Sequence, residues 1–274
     1  MSAVNAHDPK GTVGLHEFCV LSNEQVARDT FRLEFSSHVS WALEPGQFMN
    51  FAVPGDLTHI LRIPLSFSAA DRVHSHVTCY YVTVGEGTKR LSALREGEIS
   101  TVVGPCGKGW RLPEDPSARC LLVSGGIGSA PIAAAAGMLC RAGIRYDVIA
   151  GFQTAARIPE RLISEMEPLL ADDAKIHLAT DDGTFGFAGF TTQLMEQLLA
   201  EQSYGCVLTC GPEVMMRGVA AICAREGIAC QTSMERMMGC GFGACGACNI
   251  PLKAGGYASC CMDGPVFDAG EVAW

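Results

Sequence analysis

The first part of the chain alternates apolar and polar residues in short runs that are separated by Gly and Pro. Between about residues 31 and 104 these runs read FRLEFSS, QFMNFAV, LRIPLSFSA, VTCYYVTVG and EISTVVG. Runs of this length, rich in β-branched and aromatic residues, are typical of β-strands. A series of short strands joined by turns is typical of a small antiparallel barrel. We therefore predict an antiparallel barrel domain over residues 1–115.

The pattern changes after about residue 119, where apolar runs alternate with helical segments. The runs that predict parallel strands are CLLVSGG, YDVIAGF, KIHLATDD and GCVLTCG. Between and after them stand PIAAAAGMLCRAG, RLISEMEPLL, TTQLMEQLLAEQ and PEVMMRGVAAICAREG, which predict helices. Such alternation is typical of a parallel sheet with helices on both faces. We predict an α/β domain over residues 116–232.

The last segment, residues 233–274, is rich in Gly and Cys and is too small to form a core of its own. A segment of this size needs an additional stabilising element, and a bound metal cluster is one. The predicted fold class is therefore a β barrel plus α/β, with a small C-terminal metal-binding subdomain.

Charge and composition exclude several classes of protein. The chain has 274 residues and a formal net charge of -9, with no runs of Lys and Arg, which argues against a nucleic-acid partner. The 21 residues from Cys120 to Cys140 carry no charge and are long enough for a membrane span. Their Gly-Gly-x-Gly turn and Pro131 divide them into a strand, a turn and a helix, so we expect no membrane span.

The 14 cysteines do not indicate a secreted disulfide scaffold, because that class is short and opens with an apolar signal segment. The N-terminus MSAVNAHDPK lacks such a segment. We therefore expect reduced thiols and a cytoplasmic protein.

Three of these cysteines, Cys240, Cys245 and Cys248, are spaced C-x4-C-x2-C, and Cys260 and Cys261 follow about a dozen residues later. This is the plant-type spacing for a 2Fe-2S cluster. The glycines between the cysteines suit a loop that must turn tightly and direct amide N–H groups at sulfur. Structural zinc is the alternative, although zinc sites usually have a second C-x2-C or histidines. Adjacent residues point in different directions, so only one of Cys260 and Cys261 is expected to bind metal.

A glycine-rich turn follows the first predicted parallel strand. Gly125-Gly126-Ile127-Gly128-Ser129-Ala130-Pro131 opens a helix, where backbone N–H groups and the helix dipole suit a pyrophosphate. A tight turn without a ligand is the alternative. Two further segments, Thr180-Asp181-Asp182-Gly183 and Cys210-Gly211-Pro212, follow later predicted strands, at the strand ends where ligands bind in an open parallel sheet. For Asp181 and Asp182, a solvated turn is an equal alternative.

The barrel half contains a second set of candidate cofactor residues. Arg62-Ile63-Pro64-Leu65-Ser66 lies on a predicted strand, and Gly85-Glu86-Gly87-Thr88 follows another. A guanidinium group binds phosphate in a bidentate manner, and glycine amides and hydroxyls support it. Taken alone, Arg62 would be an ordinary surface arginine. No Ser/His/Asp arrangement, H-E-x-x-H sequence or paired-carboxylate motif is found, so the chemistry is expected to belong to cofactors.

Together these motifs resemble the ferredoxin reductase superfamily, in which a flavin barrel precedes a nicotinamide-binding α/β domain. The Cys240-to-Cys248 array, followed by Cys261-Met262-Asp263-Gly264-Pro265-Val266-Phe267, is similar to electron-transfer subunits of the two-subunit, NAD-linked dihydroorotate dehydrogenases. The resemblance extends from about Gly14 to Trp274.

The resemblance implies a role for each matching position. The implied FAD-binding residues are Arg62, Pro64, Leu65, Ser66, Tyr81, Val82, Gly87 and Thr88. The resemblance includes the Gly125-to-Pro131 turn, and with the strand-end residues the predicted NAD-binding set is Gly125, Gly126, Gly128, Pro131, Asp181, Cys210, Gly211 and Pro212. The implied 2Fe-2S ligands are Cys240, Cys245, Cys248 and Cys261, the last chosen because the family cysteine stands two places before Asp-Gly-Pro. The chain departs from the family at Ile63, where a second arginine is frequent, and at Gly104-Pro105-Cys106-Gly107-Lys108-Gly109-Trp110, where the family has Gly-Pro-Leu-Gly-Asn-Gly-Phe.

NAD exchanges two electrons as hydride and an iron–sulfur cluster carries one, so a flavin is expected between them. The resemblance implies that electrons pass between NAD and a separate FMN-containing subunit that oxidises dihydroorotate in pyrimidine biosynthesis. It also implies a heterotetramer with two copies of each subunit, and NAD rather than NADP. Two alternatives remain: the small subunit of an NAD(P)H-dependent ferredoxin reductase, and a zinc-stabilised binding module. Apolar residues near the cysteines predict a partner surface: Met237, Met238, Phe242, Pro265, Val266 and Phe267. For Met237 and Met238, ordinary packing is the more frequent alternative.

Overall fold

The computed structural model describes residues 13–55 and 61–274. The N-terminal part contains β1 (Gly14–Ala27), β2 (Thr30–Ser36), β3 (Phe48–Phe51), β4 (Ile63–Ser66), β5 (Ala69–Asp71), β6 (His76–Val82), α1 (Glu86–Ser92) and β7 (Ile99–Cys106). The middle part contains β8 (Cys120–Gly125), α2 (Ser129–Arg141), β9 (Tyr146–Phe152), α3 (Glu160–Met166), β10 (Ile176–Thr180), β11 (Phe187–Ala188), α4 (Thr191–Glu201), β12 (Cys206–Cys210), α5 (Glu213–Glu226) and β13 (Ala229–Ser233). The tail contains β14 (Asn249–Pro251), β15 (Tyr257–Ser259) and β16 (Val266–Asp268). Short 3-10 turns cover His38–Trp41, Gly126–Gly128, Ala155–Arg157 and Glu167–Leu169.

The first seven strands form an antiparallel half-barrel with the order β4-β3-β7-β1-β2-β6-β5. Its core is aromatic, because Phe18 lies 5.0 Å from Phe35 and 5.3 Å from Phe51 between ring centroids. The barrel prediction is confirmed, but the sequence pattern missed β1, β5 and α1. The fourteen residues of β1 bulge against β2 at two places, and each bulge interrupts the period-two alternation by which a strand is detected.

The second sheet has the order β11-β10-β9-β8-β12-β13-β16. All its pairs are parallel except the last, in which β16 runs antiparallel to β13. Successive side chains of β8 point to opposite faces: Cys120 and Leu122 pack in the cluster that contains α2, and Leu121 and Val123 pack in the cluster with α4 and α5. The α/β prediction, with helices on both faces, is confirmed. The strand order places the turn after β8 at the point where the chain switches direction across the sheet, which is where such folds bind ligands.

The C-terminal segment is built into both larger parts. β16 extends the parallel sheet, and the tail's apolar cluster takes Phe48 and Cys106 from the barrel and Met216 from α5. The predicted boundary between residues 115 and 116 falls in the connection from β7 to β8, whereas the boundary between 232 and 233 falls inside β13. The cysteine-rich segment therefore lies where the two larger parts meet.

Polar contacts also join the barrel to the α/β part. The Glu165 carboxylate of α3 accepts hydrogen bonds from Arg32 Nε at 2.9 Å and from the Tyr80 hydroxyl at 2.8 Å. Across the described residues, none of the helices combines the length and the apolar character that a membrane crossing needs.

Candidate functional site

A loop over residues 239–248 carries three of the predicted cluster cysteines. Three of its glycines, Gly241, Gly243 and Gly246, have φ values of 78°, 86° and 66°, in the left-handed region that favours glycine. This backbone directs amides at sulfur, since the Ala244 N–H donates to Cys240 Sγ at 3.2 Å and the Cys240 N–H donates to Cys245 Sγ at 3.4 Å. The backbone N–H of Phe242 contributes most to lowering the pKa of Cys240, to about 7. The loop favours thiolate, the form that binds metal.

The two adjacent cysteines of the tail have different environments. The Cys261 N–H donates to Cys248 Sγ at 3.4 Å. The Cys260 thiol instead donates to the carbonyl oxygen of Met234 at 3.1 Å and is fully buried. Of the two, Cys261 is therefore the one placed beside the other cluster cysteines.

The four cysteines form two pairs, each joined by a hydrogen bond from a backbone N–H to Sγ: Cys240 with Cys245, and Cys261 with Cys248. As placed, no three His, Cys, Asp or Glu side chains within residues 13–55 and 61–274 form a group that could hold a metal ion. A two-iron cluster has a different requirement, since it would be held by four cysteine thiolates. Three thiols on a loop with amides directed at sulfur, together with the Cys261 thiol beside Cys248, fit such a cluster.

The predicted flavin strand lies against the segment that leads to the cysteines. Pro64 and Ser66 of β4 line one side of a cavity of about 130 Å³, and Met234, Glu235 and Met238 line the other. Leu65 is half-buried and packs against the barrel core. The structure thus brings one end of the predicted FAD motif next to the chain that enters the cysteine loop.

Arg62 stands immediately before this strand. Its Nη1 donates to the carbonyl oxygen of Thr101 at 3.1 Å and to that of Asn50 at 3.5 Å. Burial lowers the pKa of this guanidinium group. Arg62 is thus tied to the barrel backbone rather than extended into solvent, which distinguishes it from an ordinary surface arginine.

The second predicted flavin segment contributes differently. The Tyr81 side chain lies in the barrel core with its hydroxyl donating to Asn23 Oδ1 at 2.9 Å, so its phenol is not available to a ligand. Val82, which ends β6, is half-buried. Thr88 Oγ1 accepts the N–H of Gly85 at 3.1 Å and closes the first turn of α1. Gly87 packs on the flavin strand, where a Cβ would lie 3.3 Å from Ile63.

Two predicted nucleotide-binding turns lie against each other at the switch point of the parallel sheet. A Cβ at Gly125 would lie 2.8 Å from Pro212, and one at Gly211 would lie 2.8 Å from the Gly125 nitrogen. A Cβ at Gly128 would overlap the carbonyl group of Cys210. Pro131 is buried in the first turn of α2. The structure therefore brings these residues together and leaves Gly126 open, with nothing within 4 Å of a Cβ.

Asp181 follows β10, two strands away from the Gly125 turn in the order β10-β9-β8. Its backbone N–H donates to the carbonyl oxygen of Phe152 at 3.0 Å. Desolvation, followed by the neighbouring Asp182 charge, raises the pKa of its carboxyl group. Asp181 shares the ligand-binding edge of the sheet with the glycine turns but does not join their close contact.

Sequence reasoning missed two polar residues here. Asn50 is only 2% exposed within the apolar strand β3 and contacts the cysteine loop at Gly241. Glu235 lines the cavity between barrel and tail while remaining exposed to solvent. A polar residue in the apolar run QFMNFAV was a visible signal for Asn50, whereas Glu235 follows β13, a strand that the pattern did not predict.

The predicted partner surface is corrected by burial. Met238, Pro265, Val266 and Phe267 are buried in the molecule, with Val266 2% exposed. Phe242 and Met237 are 55% and 78% exposed, and Met262, which was not predicted, is 43% exposed. Val266 and Phe267 are adjacent in β16 and pack in two different apolar clusters, and pairing of β16 with β13 holds both inside the molecule.

The chain is similar to several known proteins. Residues 235–273 match the family model described as the iron-sulfur cluster binding domain of dihydroorotate dehydrogenase B. The electron transfer subunit of dihydroorotate dehydrogenase B (NAD(+)) from Bacillus caldolyticus is 35% identical over 264 residues, which cover 95% of this chain and 99% of the relative. The one from Fusobacterium nucleatum is 33% identical, covering 94% of this chain and 98% of the relative.

Solved structures show the same fold. An NADH-dependent reduced ferredoxin-NADP oxidoreductase, whose structure gave insights into flavin-based electron bifurcation, has a TM-score of 0.79 and 27% identity, covering 93% of this chain and 89% of that chain. The ferredoxin reductase in carbazole 1,9a-dioxygenase, at 20% identity, has a TM-score of 0.67 and covers 79% of this chain and 67% of that one. On its identity to relatives aligned over nearly their whole length, this chain belongs to the family of the dihydroorotate dehydrogenase B (NAD(+)) electron transfer subunits.

Proposed function

We propose that this chain passes electrons between NAD and a dihydroorotate-oxidising subunit through a bound FAD and a 2Fe-2S cluster, in pyrimidine biosynthesis. The observation that carries the proposal is the arrangement of four cysteines, three on an amide-lined loop and Cys261 beside them, next to the strand with the flavin motif. The family model that matches residues 235–273 and the names of the full-length relatives support it.

In this proposal Cys240 and Cys245 hold one iron, and Cys248 and Cys261 hold the other. The N–H of Ala244 donates to Cys240 Sγ and that of Cys261 to Cys248 Sγ, so amide dipoles stabilise negative charge on the cluster thiolates. Cys248 and Cys261 are 3% and 1% exposed, whereas Cys245 is exposed. One pair therefore faces the protein interior and the other approaches the surface.

Arg62, Pro64, Leu65 and Ser66, with Val82, Gly87 and Thr88, are proposed to bind FAD, and Tyr81 is proposed to act through its backbone only. A bound FAD supplies the conversion between the hydride of NAD and the single electrons of the cluster. The chain's part is to hold the flavin between the two carriers. Arg62 provides a fixed positive charge for the phosphates, and the β4 residues meet the segment that precedes the cysteine loop.

NAD is proposed to bind at the turns formed by Gly125, Gly126, Gly128, Cys210, Gly211 and Pro212, with Pro131 fixing the first turn of α2. The close packing of the two turns leaves room for a ligand only on their outer side, where the Gly126 position is open. Asp181 is proposed to contact the nucleotide from the neighbouring strand end. We propose NAD rather than NADP because the relatives carry NAD(+) in their names.

The proposed partner is an FMN-containing catalytic subunit, in a heterotetramer with two copies of each chain. The name of the relatives as electron transfer subunits implies a separate catalytic subunit. Met237, Phe242 and Met262 expose apolar surface around the cysteine loop, where a partner could receive electrons from the cluster. We propose the cytoplasm as the compartment, because a reducing environment preserves the thiols.

Two measurements test the proposal. An absorption spectrum of the aerobically purified chain should show flavin bands with iron–sulfur shoulders, whereas a zinc-stabilised binding module would leave the visible region blank. Affinity purification from the native cell should recover an FMN protein that oxidises dihydroorotate. A chain with both cofactors that is recovered with a different electron-transfer partner would contradict the dihydroorotate assignment.

The second candidate is the small subunit of an NAD(P)H-dependent ferredoxin reductase. It is favoured by the 27% identity and TM-score of 0.79 to an NADH-dependent reduced ferredoxin-NADP oxidoreductase. Stopped-flow reduction of the purified chain with NADH and with NADPH, followed by addition of ferredoxin, distinguishes the two. If the proposed dihydroorotate function is right, NADH should reduce the chain, and electron transfer to ferredoxin should be much slower than that reduction.

A further inference from the structure

A buried carboxamide lies between the flavin half of the molecule and the cysteine loop. Asn50 occupies the third position of β3, between Met49 and Phe51, and is 2% exposed. An amide at an apolar position is unfavourable unless its polar atoms have partners. The contacts of Asn50 therefore indicate why an amide is present in this strand.

The side chain of Asn50 faces the cysteine loop. Its Nδ2 donates to Cys106 Sγ at 3.5 Å. A Cβ built at Gly241 would overlap Asn50 Nδ2 and would lie 3.1 Å from Asn50 Cγ. The carboxamide thus packs directly on the backbone of Gly241, the residue between Cys240 and Phe242. It supports the backbone turn from which the amides of Phe242 and Ala244 reach Cys240 Sγ.

The backbone of Asn50 faces the flavin motif. Asn50 pairs with Pro64 in the β3–β4 ladder, and its carbonyl oxygen accepts a hydrogen bond from Arg62 Nη1 at 3.5 Å. One residue therefore contacts both the proposed FAD strand and the proposed cluster loop, and a rigid barrel strand joins the two contacts.

We propose that Asn50 is a positioning residue for the iron–sulfur cluster: it holds the Gly241 turn against the flavin barrel and so keeps the loop amides directed at Cys240. The inference rests on the proposed function, since it concerns the cluster that these cysteines would bind. A reduced cluster carries one more negative charge than an oxidised one. Amide dipoles directed at sulfur therefore favour the reduced form and raise the reduction potential.

The test uses the purified chain with its cofactors loaded. Asn50→Leu keeps the number and branching of the side-chain heavy atoms, with bulkier methyl groups, but has no N–H donor. Asn50→Asp keeps the shape but replaces the donor by a carboxylate. The matched control is Asn23→Leu in β1, because Asn23 also has a bonded carboxamide, with Nδ2 donating to the carbonyl oxygen of Leu91 at 2.9 Å, but does not contact the cysteine loop. The readouts are the EPR spectrum, the cluster midpoint potential and the iron and FAD contents.

We expect both Asn50 variants to retain FAD, to change the EPR signal and to lower the midpoint potential. For Asn50→Leu we expect about tenfold less reduced cluster at a fixed potential, which is about 59 mV for one electron. Asn50→Asp should shift further, because it adds a negative charge beside the loop. Loss of iron from both variants with FAD retained would also support the positioning role, whereas Asn23→Leu should keep the wild-type potential.

Two outcomes would overturn the inference. If the Asn50 variants keep the wild-type potential and EPR signal, the loop does not depend on the carboxamide. If they lose FAD and cluster together, Asn50 is a general core residue of the barrel. A wild-type chain without any reducible iron–sulfur signal would instead refute the proposed function, so the two failures are distinguishable.

Discussion

At the residue scale, the two adjacent cysteines of the tail have opposite surroundings. The Cys260 thiol donates to the Met234 carbonyl oxygen at 3.1 Å, whereas Cys261 lies beside Cys248. Cys261→Ser should therefore lose the cluster, and Cys260→Ser should retain it. Iron per chain and visible absorbance measure the result. If the serine at 260 abolished iron binding and the one at 261 did not, the fourth ligand would be Cys260.

Gly241 is a second position at which one added atom, the Cβ of alanine, should decide whether the cluster binds. Gly241→Ala places a Cβ on a residue with φ of 78° and against the Asn50 amide, so we expect loss of the cluster. Gly255→Ala is the matched control, because its φ is 89° but nothing lies within 4 Å of its Cβ. The left-handed backbone conformation costs a non-glycine residue about 1–2 kcal/mol, and this cost applies to both variants. Iron analysis should separate them, and equal iron contents would show that the contact with Asn50 is unimportant.

At the element scale, two strand-to-helix turns form one surface. Gly128→Ala would push the β8–α2 turn away from Cys210 at the end of β12, so it should weaken NADH binding about tenfold or more while FAD and iron stay bound. Gly126→Ala has open space around its Cβ, although its φ is 55°. Titration of NADH by fluorescence measures both affinities. A larger loss of NADH affinity in Gly126→Ala than in Gly128→Ala would show that direct contact of the nucleotide with position 126 matters more than the packing of the two turns.

A buried ion pair joins the amino-terminal ends of the central strands β8 and β9. Arg119, which is 8% exposed, donates to Asp147 at 2.7 and 3.1 Å, and Tyr204 donates to the same carboxylate at 2.9 Å. Arg119→Met would leave the Asp147 charge buried without its main partner, and it should lower the free energy of unfolding by about 3 kcal/mol. Urea denaturation followed by circular dichroism measures it.

The control for that prediction is Arg225→Met. The side chain of Arg225 is 58% exposed, and its ion pair with Glu196 is at the surface. Exposed pairs contribute about 0–1 kcal/mol, so this variant should stay close to the wild-type stability. Similar losses in the two variants would show that the Asp147 charge finds another partner when Arg119 is absent.

At the scale of the whole molecule, the cysteine loop combines a cofactor site with exposed apolar surface. Phe242 is 55% exposed between two cluster cysteines. Phe242→Ser should weaken binding of the catalytic subunit by about 1–2 kcal/mol while iron and FAD contents stay unchanged. Phe185→Ser, at a residue 53% exposed in the turn between β10 and β11, should not change the affinity. Calorimetric titration against the catalytic subunit measures both, and equal affinities for the two variants would place the interface elsewhere.

The elements that the sequence predicted best are those whose pattern is local. The strand YDVIAGF is β9, residue for residue, and the four predicted helices start within two residues of α2, α3, α4 and α5. Strand β1 was missed because its two bulges interrupt the period-two alternation, and strand β13 was missed because its burial depends on strands that are distant in the chain. The apolar residues of β16 were wrongly predicted to be exposed for the same reason, since pairing with β13 buries them.

By itself the sequence determined the kind of chemistry: cysteine spacing and glycine turns are local requirements of a cluster and of a phosphate site, and they are visible in a few consecutive residues. Only the tertiary structure decided which groups meet. It turned Cys260 away and Cys261 toward Cys248, and it brought Gly128 against Cys210. It also placed Asn50 of the barrel on Gly241 of the tail. These contacts join residues from 13 to 191 positions apart, and their geometry is fixed by the packing of strands and helices rather than by any local pattern.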